Sequence, residues 1–299
     1  MESIKSALPF RAVAFDLDDT MLRDDLTISD FSLNVLRRLA GQGVAIVPAS
    51  GRAQMSMQPF VDQIGDVALF ICCNGAEIRD GKTSELLHTE LFPAELGREI
   101  AAFGKRHHCY AQTYAGPHFY YNEESEWARR YAKASMLTGV LVGDLEAFIQ
   151  EPRNKVLMMD APEKIAEMLR EAQDLFRGRA SVTCSKPWFL EFNPPGATKG
   201  LALEWSAARL GISPKEFIAF GDSLNDLSML QAAGRGVLMR NGREGLRSLC
   251  DDICGTNQED GVAAYLAGCF GEASARQPVA VHVPRQVTSS GATRFVTAT

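Results

Sequence analysis

The sequence predicts an α/β fold in which a parallel-sheet core is divided by an inserted α+β domain. Three observations carry this. Short apolar runs alternate with helical stretches in a β-α-β-α-β order over residues 11–71, which is the pattern of a parallel sheet with helices on both faces. The same rhythm returns over residues 198–239. Between them, from about 84 to 188, Pro93, Gly116-Pro117, Pro152, Pro162 and Pro187 break the pattern into shorter elements.

Taken in order, residues 11–16 read as a buried strand. Ser29 or Asp30 can cap a helix through about Leu39, which Gly41-Gln42-Gly43 ends. Val44–Val47 is a second strand, a helix follows near 53–64, and Val67–Ile71 is a third strand. In the insert, helices are expected near 94–107, 125–137 and 163–176, and strands near 110–114, 118–121, 155–159 and 181–184. The second half of the core has a helix near 198–210, a turn at Ser213-Pro214, a strand at 217–220, a helix near 224–233 and a strand near 236–239. The expected division is therefore 1–83 with 189–270 as core and 84–188 as insert. Residues 271–299 have too few large apolar groups to repay ordering and read as a disordered tail.

Charge and cysteines narrow the class. A net charge of −6 argues against a nucleic-acid partner, which demands a basic face. An acidic protein that binds phosphorylated molecules needs a cation to do so. Seven cysteines without paired spacing do not form a disulfide framework, so a reducing cytoplasm is the expected compartment. No signal peptide and no apolar run of membrane-spanning length is evident, so no membrane partner is expected.

The chemistry sits where apolar runs end. Ala12-Val13-Ala14-Phe15 leads into Asp16-Leu17-Asp18-Asp19-Thr20, and Phe217-Ile218-Ala219-Phe220 leads into Gly221-Asp222-Ser223-Leu224-Asn225-Asp226. Open parallel sheets bind ligands at the carboxyl ends of their strands, so the two acidic clusters can converge into an oxygen-rich site suited to Mg²⁺ and phosphate. Asp16 can attack phosphorus as a carboxylate, already ionised at neutral pH. If the chain turns after it, Asp18 can face the same ligand and exchange protons with the leaving oxygen and water. Read alone, the Asp16–Asp18 pair fits a polar turn equally well. Ser50, at the end of the second strand, can donate its hydroxyl to a phosphoryl oxygen, and the amide of Gly51 can help. Lys199 opens a helix and brings a compact positive charge where the dipole already favours anions. Asp222 and Asp226 can ligate Mg²⁺ directly or through water, and Asn225 can bond the carboxylates or the phosphate.

These four elements, in this order, resemble the haloacid-dehalogenase-like phosphatase superfamily. The insert between the second and third motifs, Asn74-Gly75-Ala76, the run Gly221–Leu230 and Glu259-Asp260-Gly261-Val262 are similar to its C2-capped, Cof-type branch. The resemblance spans roughly residues 10–269. It implies a Rossmann-like parallel-sheet core with an α+β cap and a Mg²⁺-dependent phosphatase acting on small phosphorylated metabolites. Asp16 would be the nucleophile and Asp18 the acid/base. The metal would be held by Asp16, the backbone carbonyl of Asp18, Asp222 and Asp226. Two positions depart from the common pattern: Asp19 stands where many relatives have glycine, and Ser50 where many have threonine.

Other residues carry two readings. Arg52 can touch phosphate or pair with a carboxylate. Asn74 lies at a strand end facing the site and is expected to meet ligand. Glu191 and Asn193 are expected to form hinge hydrogen bonds. Trp127, Tyr131 and Trp188 are expected to pack within the insert. His107-His108-Cys109 reads as a solvated helix end, because adjacent side chains diverge. Sugar phosphates are the first substrate guess and phosphorylated cofactors the second. A sugar phosphomutase and a non-catalytic ligand-binding regulator are the rival functions.

Overall fold

In this computed structural model, which describes residues 10–270, these residues form twenty-three α-helices and β-strands. The core opens with β1 (Ala12–Phe15), α1 (Asp30–Gly41), β2 (Ala45–Pro48), α2 (Gln54–Ile64), β3 (Leu69–Cys72), β4 (Glu77–Asp80) and β5 (Leu86–Thr89). The insert contributes α3 (Ala94–Arg106), β6 (Tyr110–Ala115), β7 (His118–Tyr121), α4 (Glu126–Ser135), β8 (Thr138–Leu141), α5 (Leu145–Phe148), β9 (Val156–Met159), α6 (Pro162–Leu175), β10 (Ser181–Thr183) and β11 (Phe189–Asn193). The core resumes with α7 (Lys199–Leu210), β12 (Phe217–Gly221), α8 (Leu227–Ala232), β13 (Arg235–Leu238), β14 (Asp252–Ile253) and α9 (Gly261–Phe270). The tail expected over 271–299 lies outside the described residues.

Every residue of β1, β2 and β12 is buried, as unbroken apolar runs require when helices cover both faces of a sheet. The order β14-β13-β12-β1-β2 is parallel throughout. Val13 and Phe15 pack with α1, α2 and α9 on one face, whereas Ala12 and Ala14 pack with α7 and α8 on the other. Thus α1 leaves β1 toward one face and α8 leaves β12 toward the opposite one. A crevice opens between the carboxyl ends of these two neighbouring strands, the switch point where such sheets bind ligands. Ser29 caps α1 through the Ser32 amide (3.0 Å), and Thr198 caps α7 through the Leu201 amide (3.2 Å).

The insert folds as a six-stranded sheet, β10-β11-β9-β6-β7-β8, antiparallel except for the β7–β8 pair. One face packs on α3, α5 and α6, with Phe103, Ile165 and Met168 against Val156, Met158 and Phe192. The opposite face carries Tyr110, Tyr114, Leu157 and Met159 beneath α4.

Three sequence expectations differ from the structure. The strand expected at 67–71 is not a sixth member of the main parallel sheet. As β3 it joins an antiparallel sheet with β4 and β5. It lies beside β2 through a parallel bridge, Ala49 to Ile71, and through the Ala68 amide, which donates to the Ile46 carbonyl at 3.0 Å. Residues 86–89, placed with the insert, therefore belong to a sheet on the core side. Residues 189–193, placed with the core, are β11 and pair with β9 and β10 inside the insert sheet. That strand escaped detection because it buries Leu190 and Phe192 on one face and the polar Glu191 and Asn193 on the other. Alternation of this kind reads as a strand with one wet face approaching a hinge.

Candidate active site

Asp16 follows β1 directly, and its amide donates to the Phe220 carbonyl of β12 at 3.0 Å. The chain then leaves the strand: Asp18 is extended (φ −66°, ψ 130°) and Asp19 is left-handed (φ 59°). Aspartate tolerates that region better than most residues, which accounts for Asp19 where glycine is common. The turn places the side chains of Asp16 and Asp18 on one cavity. Asp19 accepts from Lys186 of the insert at 2.9 Å.

The loop after β12 is shaped by Asp226. Its Oδ2 accepts the amides of Asp222 and Ser223, both at 3.0 Å, folding the loop back under the strand end. Gly221 permits this, since a Cβ there would lie 2.4 Å from that of Asp226. This turn is also why α8 begins at Leu227 rather than near 224. Lys199, the first residue of α7 and fully buried, donates 2.6 Å bonds to both Asp16 Oδ1 and Asp226 Oδ1. Thr20 donates to Asp222 Oδ1 at 3.1 Å.

Asp16, Asp222 and Asp226 each bring an oxygen within 4.8 Å of the others, the single such cluster of potential ligands among the described residues. Neither Cys250 and Cys254, which lie four residues apart, nor His107-His108-Cys109 forms another. Three buried carboxylates face one ammonium. Burial raises the Asp16 pKa to about 8, partly opposed by Lys199, and the neighbouring Asp226 raises it further. Burial likewise lifts Asp222 well above the carboxylate range, aided by Asp226 and Asp16. Lys199 goes the other way: burial disfavours its charge, but Asp16 and Asp226 outweigh this and hold its pKa up. Fully ionised, the three carboxylates would carry more negative charge than Lys199 neutralises, and the raised Asp16 and Asp222 values express that repulsion. The hard oxygen donors of the cluster fit a divalent cation.

Arg52 grips Asp18 with two bonds, Nε to Oδ2 at 2.8 Å and Nη2 to Oδ1 at 2.7 Å. Burial pushes the Asp18 carboxyl up, but the guanidinium overrides it and holds the pKa below the usual value. Of the two readings of Arg52, carboxylate pairing is the arrangement seen. The same guanidinium donates to the Ala134 carbonyl of α4 at 3.1 Å, linking core to insert. Ser50 is buried beside it, its Oγ accepting the Arg52 amide at 3.2 Å.

Asn74 does not point a free amide at the cavity. It donates to Glu191 and to Asn193 Oδ1 (3.1 Å) and accepts from Asn225 Nδ2 at 3.0 Å. Asn225 thereby joins the acidic loop, through Asn74, to Glu191 and Asn193 of β11. Sequence reasoning missed Lys155, which pairs with Glu191 at 2.8 Å in full burial and donates to the Gly51 carbonyl at 2.8 Å. A lysine at the start of an expected strand carries no signal of burial. Burial would raise the Glu191 pKa, but Lys155, Ser185 and Asn74 outweigh it and hold the carboxyl below its ordinary value. This stabilisation is therefore present above the ordinary glutamate pKa and is lost as pH falls through the depressed one. Glu191→Ala leaves the Lys155 ammonium buried and without its carboxylate. It should lower unfolding free energy by about 3–5 kcal/mol in denaturant titrations. Glu95→Ala, which removes only an exposed i,i+3 pair with Arg98, should change it by under about 1 kcal/mol.

Asp16, Asp18, Ser50, Gly51, Arg52, Asp222 and Asn225 floor a cavity of about 270 Å³ between core and insert, whereas Lys199, Asp226 and Asn74 are not in its lining. Its far wall is aromatic: Trp127, Tyr131, Trp188 and Phe189 line it. Trp127, Tyr131 and Trp188 were expected to pack within the insert, yet all three reach the cavity.

Comparison with known proteins finds similarity along most of the chain. The haloacid dehalogenase-like hydrolase family profile matches residues 13–266. An HMP-PP phosphatase of Serratia proteamaculans is 29% identical over 86% of this chain and 94% of its own. A 5-amino-6-(5-phospho-D-ribitylamino)uracil phosphatase of Bacillus subtilis is also 29% identical, over 86% of this chain and 97% of its own. The crystal structure of a haloacid dehalogenase-like hydrolase from Bacteroides thetaiotaomicron superposes with a TM-score of 0.78 at 28% identity, covering 87% of this chain and all of that one.

Proposed function

The chain belongs to the haloacid dehalogenase-like hydrolase family as a capped phosphatase, and from that premise we propose that it hydrolyses small phosphorylated metabolites through an aspartyl-phosphate on Asp16, with Mg²⁺ as cofactor. The observation that carries this reading is the position of Asp16. It directly follows β1, the strand that neighbours β12, sits on the cavity floor, contacts Lys199 and shares a ligand cluster with Asp222 and Asp226.

In the first step an Asp16 oxygen attacks phosphorus and the bond to the leaving oxygen breaks, with Asp18 protonating that oxygen. In the second, Asp18 takes a proton from the water that attacks phosphorus, which frees phosphate and restores Asp16. Lys199 and the Ser50 hydroxyl stabilise the charge on the transferring group, with help from the Gly51 amide. The Asp16, Asp222 and Asp226 carboxylates and the Asp18 carbonyl would hold Mg²⁺, which supplies charge neutralisation between anionic nucleophile and anionic phosphate. Because Arg52 keeps Asp18 ionised, the acid role requires that grip to loosen. An arriving phosphoryl group offers Arg52 a competing anion.

We also place the functional division at the strand boundaries, with core 10–89 and 194–270 and cap 90–193. Contacts that cross the gap support a cap closing over the site: Lys155 to Gly51, Lys186 to Asp19, and Arg52 to Ala134. Such closure excludes water and large substrates. Seven unpaired cysteines support a cytoplasmic site of action, and no helix among the described residues is long and apolar enough to cross a membrane.

Phosphate release from a panel of sugar phosphates and phosphorylated cofactors, with and without Mg²⁺, tests the reading. Chelation should silence the enzyme, and Ca²⁺ should restore less activity than Mg²⁺ because its looser coordination misplaces the groups around it. Asp222→Ala should raise the Mg²⁺ needed for half-maximal rate by at least about tenfold. Full activity after exhaustive chelation would refute the metal requirement.

A further inference from the structure

The cap wall has a composition that the phosphate chemistry does not use. Trp127 and Tyr131 project from α4, and Trp188 and Phe189 stand at the start of β11, opposite the carboxylates. Phe189 braces the group, 6.4 Å from Tyr131 and 6.3 Å from Trp188 between ring centroids. Both tryptophans are only half-buried. Aromatic surface gathered in a concave site marks a place where a ligand completes the burial.

The Tyr131 hydroxyl and the Lys155–Glu191 pair beside this wall are already engaged. The Tyr131 hydroxyl is 2.6 Å from that of Tyr114, which accepts from Gln112 at 2.8 Å. Lys155 and Glu191 hold each other. A sugar brings several hydroxyls, and each one buried without a partner is penalised. A flat ring brings few such groups and gains by stacking. One cation at this wall is free. Arg130 lies over the Trp127 ring at 5.7 Å and makes no hydrogen bond or ion pair among the described residues. Its planar fork suits the nitrogen and oxygen acceptors at the edge of a heteroaromatic ring.

We propose that the cap end of the cavity is a stacking subsite, and that the substrate is a phosphate monoester of a planar heteroaromatic ring rather than of a sugar. This rests on the phosphatase reading above and reverses the order of substrates that the sequence suggested. The test separates binding from turnover. Full-length Asp16→Asn with Mg²⁺ is titrated by calorimetry with two probes, pyridoxine 5′-phosphate, which has no aldehyde to trap lysines, and glucose 6-phosphate. The ring ester should bind at least about tenfold more tightly. Trp127→Leu or Trp188→Leu, added to that background, should each shrink the preference by about tenfold. Leucine keeps apolar bulk, and the two positions lie on separate elements, so one misfolded variant does not remove the test. Equal or tighter glucose 6-phosphate binding, no ring-ester binding, or a preference that survives both substitutions overturns the proposal. The two readings fail separately. If wild type hydrolyses neither ester while Asp16→Asn still selects the ring, the phosphatase reading falls and the subsite stands.

Discussion

Asp16→Asn is expected to lose phosphate release by about 10⁴-fold or more, the scale reached when a covalent nucleophile is removed, with little change in stability. Asparagine is nearly the same size and keeps an oxygen to accept from Lys199, which donates to Asp16 at 2.6 Å. Lys199 also keeps its second partner, Asp226, at 2.6 Å. What disappears is the carboxylate proposed to attack phosphorus and one of three carboxylates in the ligand cluster. Steady-state phosphate release and a thermal melt check both halves. Near-native turnover in a folded variant would remove Asp16 from the nucleophile role.

The second large effect is expected at Asp18. Asp18→Asn should slow turnover by about 10²–10⁴-fold for esters with poor leaving groups. The loss should shrink for p-nitrophenyl phosphate, whose leaving group needs little protonation. The structure adds a condition: Asp18 is held ionised by a two-bond pair with Arg52. Loosening that pair with Arg52→Lys, which cannot make the same fork, should alter the pH profile of turnover for poor leaving groups more than for p-nitrophenyl phosphate. An equal loss across leaving groups for Asp18→Asn would exclude the acid role.

The legible part of this molecule was where pattern and chemistry coincide within a few residues. The apolar runs 12–15 and 217–220 end in acidic clusters, and burial on both sheet faces follows from their composition. The illegible part depends on how distant segments dock. Lys155 and Glu191 lie 36 residues apart in sequence (155 to 191) and become a buried pair only because β9 and β11 are neighbours in the insert sheet. The tryptophans of the insert carry the same signal whether they face its own core or the core domain across a gap, so packing was read where a cavity wall formed. Helix α9 is apolar nearly all round, without the one-sided stripe that marks a surface helix. It buries Val262 and Leu266 among residues of α1.

The central claim is that phosphate passes through Asp16. Wild-type enzyme with excess substrate and Mg²⁺, quenched in acid within one turnover and digested, should yield a phosphorylated peptide containing residues 16–20. Borohydride reduction before digestion should convert Asp16, and no other aspartate, to homoserine. A phosphoryl group on a different residue, or burst release of phosphate with no modified peptide at any quench time, would contradict the account.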